Sequence, residues 1–137
     1  MLRRGVGIGS SVAGRTLEAE IGRGGMGVVY KAHNDRLDRT EAVKVITDDL
    51  ARDKSFRDRF LREAMISVAV EHPHVIPVYD ADEATGGTLF IAMRYVEDGH
   101  TMARMISQRG RLDPVVAANL ISAIASALDA AHARDLV

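Results

Sequence analysis

The 137-residue chain contains no cysteine and no tryptophan, and aromatic residues make up only 4% of it. Without cysteine there is neither a disulfide framework nor a thiolate zinc site, and a reducing cytoplasm fits this composition. The apolar fraction of 47% is nevertheless that of a globular protein, so the core must be packed from Leu, Ile, Val, Ala and Met. The length suffices for one ordinary domain or for a large piece of a bigger one.

An excess of charge of either sign is also missing, as are long apolar runs. Eighteen basic residues against nineteen acidic ones give a net charge of −1, which offers no global attraction to nucleic acid or to an anionic membrane. The longest apolar candidate, residues 114–131, is interrupted by Asn, Ser and Asp side chains. The five histidines lack the spacing of metal ligands. We therefore expect a soluble, cytoplasmic chain with no membrane segment, no nucleic-acid partner and no metal site.

The stretch over residues 21–44 carries the strongest functional pattern. Gly22, Gly24 and Gly27 form a G-x-G-x-x-G loop, and two β-like runs follow, with Lys44 inside the second. Glycines at this spacing let backbone N–H groups approach phosphate oxygens without interference from side chains. A lysine on a neighbouring strand can bring positive charge to the same anion. The stretch therefore predicts a clamp for nucleotide phosphates.

A G-x-G-x-x-G loop alone is a weak signal, and several interpretations compete. A glycine-rich hairpin without any ligand is the simplest. A dinucleotide-binding Rossmann unit needs a helix after the last glycine, whereas Gly27 precedes the β-like run Val-Val-Tyr-Lys-Ala-His. A Walker A loop needs Gly-Lys-Ser/Thr, and Val28 and Val29 stand there instead. The fourth interpretation is a hairpin folded over a nucleotide with its cation on the next strand.

Periodicity and turn residues predict five strands and three helices. The Gly/Ser-rich residues 1–14 are expected to form a loose, flexible lead-in. Asp113 and Pro114 are an N-cap and a first helical residue for the longest helix. Strands precede most of the helices, which indicates the α+β class. The predicted strands are residues 16–21, 28–33, 40–46, 75–79 and 88–96, and the predicted helices are about 55–70, 101–108 and 114–134.

Several motifs together resemble the N-terminal lobe of eukaryotic-like serine/threonine protein kinases of the actinobacterial type. They are the glycine loop at 21–30, Ala-Val-Lys at 42–44, Phe-Leu-Arg-Glu-Ala around Glu63, and the segments 71–76 and 89–96. The resemblance covers residues 16–137. It implies a five-stranded antiparallel sheet with one inserted helix over residues 15–96. The hinge and two helices of an incomplete helical lobe would then occupy residues 97–137.

The resemblance also implies a site for ATP. Lys44 would contact the α- and β-phosphates and Glu63 would hold Lys44 in place, so these two are the candidate catalytic residues. Met93 would be the gatekeeper at the back of the adenine pocket. The implied nucleotide-binding residues are Ile21, Gly22, Arg23, Gly24, Gly25, Met26, Gly27, Val28, Val29, Ala42, Lys44, Met93, Tyr95 and Val96.

The sequence departs from the family at its end and at one strand position. The 137 residues do not reach the His-Arg-Asp catalytic loop or the Asp-Phe-Gly motif, so the catalytic base and the magnesium ligands of the intact family are absent. We therefore expect an ATP-binding portion of a serine/threonine kinase that is inactive alone. Glu41 replaces an apolar residue on the face away from the nucleotide, where we expect tolerance.

Two other functions stay open. The first is a kinase-derived, non-catalytic regulatory module that acts through contacts with a protein partner. The apolar helix at 114–134 would be exposed in such a chain and could cause self-association. The second, a fragment of a dinucleotide-binding oxidoreductase, requires a helix after Gly27.

Overall fold

A computed structural model describes residues 5–136 and has an α+β architecture. Its strands form one antiparallel sheet in the order β1-β2-β3-β4-β6-β5, which curls on itself. The α+β prediction is confirmed, whereas the predicted count of five strands is one too low. The elements are β1 (Ser11–Val12), β2 (Arg15–Gly24), β3 (Gly27–Asn34), β4 (Arg39–Ile46), α1 (Asp48–Arg52), α2 (Lys54–Val68), β5 (Val78–Ala84), β6 (Thr88–Arg94), α3 (Met102–Arg109) and α4 (Pro114–His132).

The additional strand, β1, lies in the segment for which the sequence predicts a loose lead-in. Ser11 pairs with Thr16, and Val12 pairs with Arg15. The side chain of Val12 is buried in the sheet core. Two residues are too few to show alternation among glycines and serines, so the sequence pattern does not reveal this strand.

The connection from β4 to β5 contains two helices where the sequence predicts one. Asp53 separates them, because its extended backbone (φ −71°, ψ 114°) ends α1 while its carboxylate accepts a hydrogen bond from the Phe56 amide at 2.7 Å. A single residue thus serves as the end of α1 and as the N-cap of α2. The predicted helix at about 55–70 is confirmed as α2.

Strand β5 begins later than predicted. The amide of Val75 donates to the carbonyl of His72 at 3.1 Å, so the start of the predicted strand at 75–79 forms a turn. The strand instead continues through Asp-Ala-Asp-Glu-Ala to Ala84. Acidic residues and alanine have low β propensity, which is why the sequence pattern misses this half.

The curled sheet encloses the main core. Phe90, Leu17 and Val43 are almost completely buried there. A second cluster joins Ile46 and Leu89 to the two helices that follow β4. The sheet and helices α1 and α2 therefore form one packed unit, since both clusters include residues of the sheet.

Helices α3 and α4 contain no buried residue in the described part of the chain. Two hydrogen bonds connect α4 and the residues just after it to the segment that follows α2: His72 Nε2 with Ser126 Oγ at 2.9 Å, and Arg134 Nη1 donating to the Ala69 carbonyl at 2.5 Å. Asp113 caps α4 as predicted, by accepting from the Val115 amide at 2.9 Å.

Helix α4 is more apolar overall than the sequence prediction indicates, because that prediction considers only uninterrupted apolar runs. Over an 18-residue window its mean hydropathy is 1.5, so by length and composition alone this helix could cross a membrane. The alanines and branched apolar residues outweigh the interrupting Asn, Ser and Asp side chains. Membrane-spanning length is thus a property of this exposed helix, although core helices of other proteins share it.

Candidate functional site

The predicted phosphate clamp is a hairpin between β2 and β3. Gly24 pairs with Gly27, and Gly25 and Met26 form the turn. The Thr47 amide donates to the Met26 carbonyl at 3.0 Å and ties the turn to the end of β4. A strand and not a helix begins at the last glycine, so the dinucleotide-binding interpretation is wrong.

The glycines of this hairpin meet different steric conditions. A Cβ atom on Gly27 would lie 2.1 Å from the Val45 carbonyl oxygen, so the close approach of β3 and β4 requires glycine there. A Cβ atom on Gly24 or Gly25 would meet nothing within 4 Å. The packing of the fold thus explains Gly27, whereas Gly24 and Gly25 border open space.

One face of the sheet brings together the residues predicted from the second and third strands of the motif. Val29 lies opposite Lys44, and Lys44 lies opposite Ile91. Ala42, two residues before Lys44 and therefore on the same face, lies opposite Met93. The register thus places the predicted lysine and the predicted adenine-pocket residues side by side over three strands.

Lys44 and Glu63 line one cavity of about 220 Å³ between the sheet and α2. Met26 from the glycine hairpin and the apolar rings of Phe56 and Phe60 line it too. Lys44 is half-buried and Glu63 is exposed. Within residues 5–136 neither side chain belongs to an ion pair of 4.0 Å or less. Helix α2 therefore brings the carboxylate to the cavity without contact with the lysine.

The hinge segment, Tyr95 and Val96, directly follows β6. It has one side-chain contact that the sequence did not predict. The ammonium group of Lys31 lies 5.6 Å from the centroid of the Tyr95 ring, a cation–π distance. Lys31 is two residues after Val29 and shares its face of β3, so strand alternation could have indicated it. The contact links β3 to the hinge segment.

Arg23 of the glycine loop forms a forked ion pair with Glu20. Its Nε and Nη2 atoms donate to the two carboxylate oxygens at 2.9 and 2.8 Å. An irregularity in the β2–β3 register between Glu20 and Gly22 inserts Ile21, so two residues that are three apart reach the same side. The hydrogen bonds from Arg23 lower the pKa of Glu20, and those to Glu20 raise the pKa of Arg23. Arg23 is thereby oriented by its own strand.

Glu41 does not occupy the tolerant position that the sequence predicts. It lies on the face opposite Lys44, as alternation indicates, but it is completely buried inside the curl of the sheet. Burial by itself raises the pKa of this carboxyl, but hydrogen bonds from Arg15, Arg39 and Asn34 outweigh it and hold the pKa below the ordinary value of 4.5. A buried carboxylate bound by two guanidinium groups is not freely replaceable.

No group of three or more His, Asp or Glu side chains is arranged to hold a metal ion within residues 5–136. The magnesium that the resemblance implies therefore has no ligand set among these residues. An ATP phosphate chain fits better, because Met26 of the glycine hairpin and the half-buried Lys44 line the same cavity.

Comparison with known proteins identifies the family. The profile of the protein kinase domain matches residues 15–137. The serine/threonine-protein kinase PknH of Mycobacterium bovis is 42% identical over 126 residues, which cover 92% of this chain and 21% of that protein. The serine/threonine-protein kinase PknF of Mycobacterium tuberculosis is 40% identical over 131 residues, covering 94% of this chain and 27% of that protein.

Solved structures agree with these relatives. A crystal structure of the Mycobacterium tuberculosis PknI kinase domain superposes with a TM-score of 0.81 at 34% identity, covering 94% of this chain and 51% of that one. The chain thus spans about a quarter or less of the curated relatives' length and about half of the solved kinase domain. The chain belongs to the protein kinase family, and its residues 15–137 are part of a kinase domain similar to those of mycobacterial serine/threonine kinases.

Proposed function

We propose that this chain is the ATP-binding portion of a serine/threonine protein kinase. One observation carries the proposal: Lys44, Glu63 and Met26 of the glycine hairpin line a single cavity beside the face that bears Val29 and Ala42. A cation, an acid and a glycine turn converge there from three different elements. Such convergence of polar groups on a partly apolar cleft is typical of a ligand site.

Each residue then has a role that follows from its place. The amides of Gly24 and Gly25 approach the β- and γ-phosphates, and the ammonium group of Lys44 neutralises charge on the α- and β-phosphates. Val29 and Ala42 form the upper surface for adenine, Met93 its back, and the backbone of the hinge segment its hydrogen-bonding edge. In the intact family, bound magnesium would supply the further charge neutralisation of the phosphates.

Glu63 is proposed to pair with Lys44 once nucleotide is bound. In the free protein Glu63 is exposed at the rim of the cavity that Lys44 also lines, so pairing requires the two charged groups to approach each other across it. An ion pair would orient the ammonium group and lower the cost of holding a cation in a half-buried cleft.

The 137-residue chain is proposed to have no phosphotransfer activity by itself. It contains neither the His-Arg-Asp nor the Asp-Phe-Gly motif, which would supply the base for the substrate hydroxyl and the ligands for magnesium. Protein substrates and a cytoplasmic location belong to the same proposal. Transfer of radioactive phosphate to a generic protein substrate that depends on Lys44 would contradict it.

Calorimetric titration with a non-hydrolysable ATP analogue tests the binding proposal. We expect weak binding by the wild type and an affinity about tenfold lower for Lys44→Ala, since a charge-assisted hydrogen bond contributes about 1.5–3 kcal/mol. Lys54→Ala is the matched control, because Lys54 is an exposed lysine paired with Asp58 on α2. The proposal fails if the wild type binds no analogue, or if both variants bind as tightly as the wild type.

The exposed apolar surface of α4 favours a second candidate, a module that acts through protein contacts. Val115, Ile121 and Leu128 are 67%, 57% and 46% exposed. Apolar surface of this kind promotes association, either with a regulatory protein or between copies of this chain. Sedimentation velocity over a range of concentrations distinguishes the two candidates, since a pure nucleotide-binding role needs no association.

A further inference from the structure

The carboxylate of Glu41 accepts three hydrogen bonds, from donors on three strands. Its Oε2 accepts from Arg15 Nε at 2.8 Å, and its Oε1 accepts from Arg39 Nε at 2.7 Å and from Asn34 Nδ2 at 3.0 Å. The residue has no exposed surface, and Arg15 and Asn34 are buried with it. Every group in this network has a partner, so the buried charge is compensated.

The same network closes the curl of the sheet. Arg15 is on β2 and donates through Nη1 to Asp80 Oδ2 of β5 at 2.9 Å. In the order of the sheet β2 and β5 are separated by β3, β4 and β6, so this ion pair spans the open side of the curl. Arg39 adds a second link, because its guanidinium group lies 3.9 Å from the centroid of the Tyr79 ring. We call these residues the clasp: Arg15, Asn34, Arg39, Glu41, Tyr79 and Asp80.

The clasp lies at the hinge end of the proposed nucleotide cleft. Glu41 is opposite Arg94, the last residue of β6, and the hinge segment begins at the next residue. Ala42, whose neighbour across the sheet is Met93, directly follows Glu41. Glu41 therefore directly precedes Ala42, which belongs to the proposed upper surface of the adenine pocket. It also lies opposite the end of β6, the strand that leads into the hinge segment.

We propose that Glu41 is a positioning residue: through Arg15 and Asp80 it sets the distance between the hinge segment and Ala42, and so the fit of adenine. This inference rests on the proposed function. It assigns to Glu41 a part in binding although its side chain faces away from Lys44. The inference also predicts different effects at the two ends of the cleft, because the glycine hairpin lies at the opposite end of β2 and β3 from the clasp.

The test compares Glu41→Gln and Asp80→Asn with the control Glu18→Gln. Glu41→Gln keeps the shape and removes the charge that holds Arg15 and Arg39. Asp80→Asn removes only the ion pair to β5; because Asp80 is 43% exposed and Glu41 still neutralises Arg15, this variant retains the fold. Glu18 is an exposed carboxylate on β2 outside the clasp, so its substitution measures the effect of lost charge alone.

The primary measurement is the backbone amide spectrum of each ¹⁵N-labelled protein without ligand. We expect the amide resonances of Tyr95 and Val96 to move in Glu41→Gln and Asp80→Asn and to stay in Glu18→Gln. Those of Gly24 and Gly25 should stay in all three. Variants that unfold at lower temperature but keep the Tyr95 and Val96 resonances would show that the clasp only stabilises the sheet, and the proposal would be overturned.

Titration with two partial ligands separates this inference from the proposed function. Adenosine probes the hinge end and tripolyphosphate probes the glycine end. Both clasp variants should bind adenosine about tenfold more weakly while tripolyphosphate affinity changes by less than about twofold, since a displacement of about 1 Å already impairs a binding geometry. If the hinge resonances move in the clasp variants but the wild type binds no adenosine, the clasp positions the hinge segment and the nucleotide site is refuted. Unchanged adenosine affinity in both variants would refute the positioning role.

Discussion

The curled sheet with α1 and α2 differs from the pair α3 and α4 in where apolar residues lie. In the first region Phe90, Leu17 and Val43 are at most 1% exposed. In the second, α4 is the more apolar helix, yet Ile121 and Leu128 are about half exposed. The difference shows that hydrophobic composition alone does not create a core, because burial also needs a second surface to pack against.

The same difference shows which region can hold side chains in a fixed geometry. Strands β2, β3, β4 and β6 are held in register by ladders of hydrogen bonds and by the core inside the curl. Within residues 5–136, α4 and the residues just after it are connected to the rest of the chain by the side-chain hydrogen bonds of Ser126 and Arg134 only. A site built on the sheet is therefore positioned by many contacts, which a binding geometry requires.

The largest contrast is expected from two truncations of apolar side chains. Phe90→Ala in the sheet should lower the free energy of unfolding by about 3–5 kcal/mol, because it leaves a cavity in a closed core. Leu128→Ala on α4 should change it by less than about 0.5 kcal/mol, since its side chain is half exposed. Urea unfolding followed by circular dichroism measures both. Equal losses would mean that α4 packs on the sheet in solution.

The next largest difference in stability is expected between two glycine substitutions in the hairpin. Gly27→Ala should destabilise the protein by about 1–3 kcal/mol or more, since its Cβ would overlap the Val45 carbonyl oxygen and separate β3 from β4. Gly25→Ala meets open space and should cost little stability. Thermal unfolding of the two variants decides the matter. A stable Gly27→Ala protein would contradict the close approach of these strands.

A smaller change in the free energy of unfolding is expected from pH, through a buried carboxylate of the sheet. The folded pKa of Glu41 lies below 4.5, so its stabilisation is complete above that value and is lost as the pH falls through the folded pKa. The loss amounts to about 1.4 kcal/mol for each pKa unit between the folded and unfolded carboxyl. Stability measured from pH 7 down to pH 3 should fall less steeply in Glu41→Gln than in Glu18→Gln. Parallel curves of stability against pH for the two variants would contradict a lowered pKa of Glu41 in the folded protein.

Local chemistry made the hairpin and the start of α4 predictable from the sequence. The G-x-G-x-x-G spacing and the β-branched residues after Gly27 predict a hairpin, and the structure has one. The Asp113-Pro114 start of α4 depends on neighbouring atoms only, so it too is predicted correctly. The sequence places Lys44 on a strand and Glu63 on the following helix, and in the structure both residues line one cavity.

The features that the sequence did not reveal depend on contacts between distant segments. The sequence predicts a tolerated acid at Glu41, because its partner Arg15 lies 26 residues earlier in the chain. The pairing of Ser11–Val12 with β2 and the continuation of β5 to Ala84 likewise rely on partners that no window of sequence contains. Whether Lys44 and Glu63 touch depends on the packing of α2 at a finer scale than periodicity reports.

The most direct test of the account is to map a non-hydrolysable ATP analogue onto the backbone amide spectrum of the wild type. We expect the resonances of the glycine hairpin at 22–29, of Lys44 and of the hinge segment to move, while those of α3 and α4 stay. Movement confined to α3 and α4, or no movement at millimolar analogue, would contradict the claim that the curled sheet of this chain carries a nucleotide site.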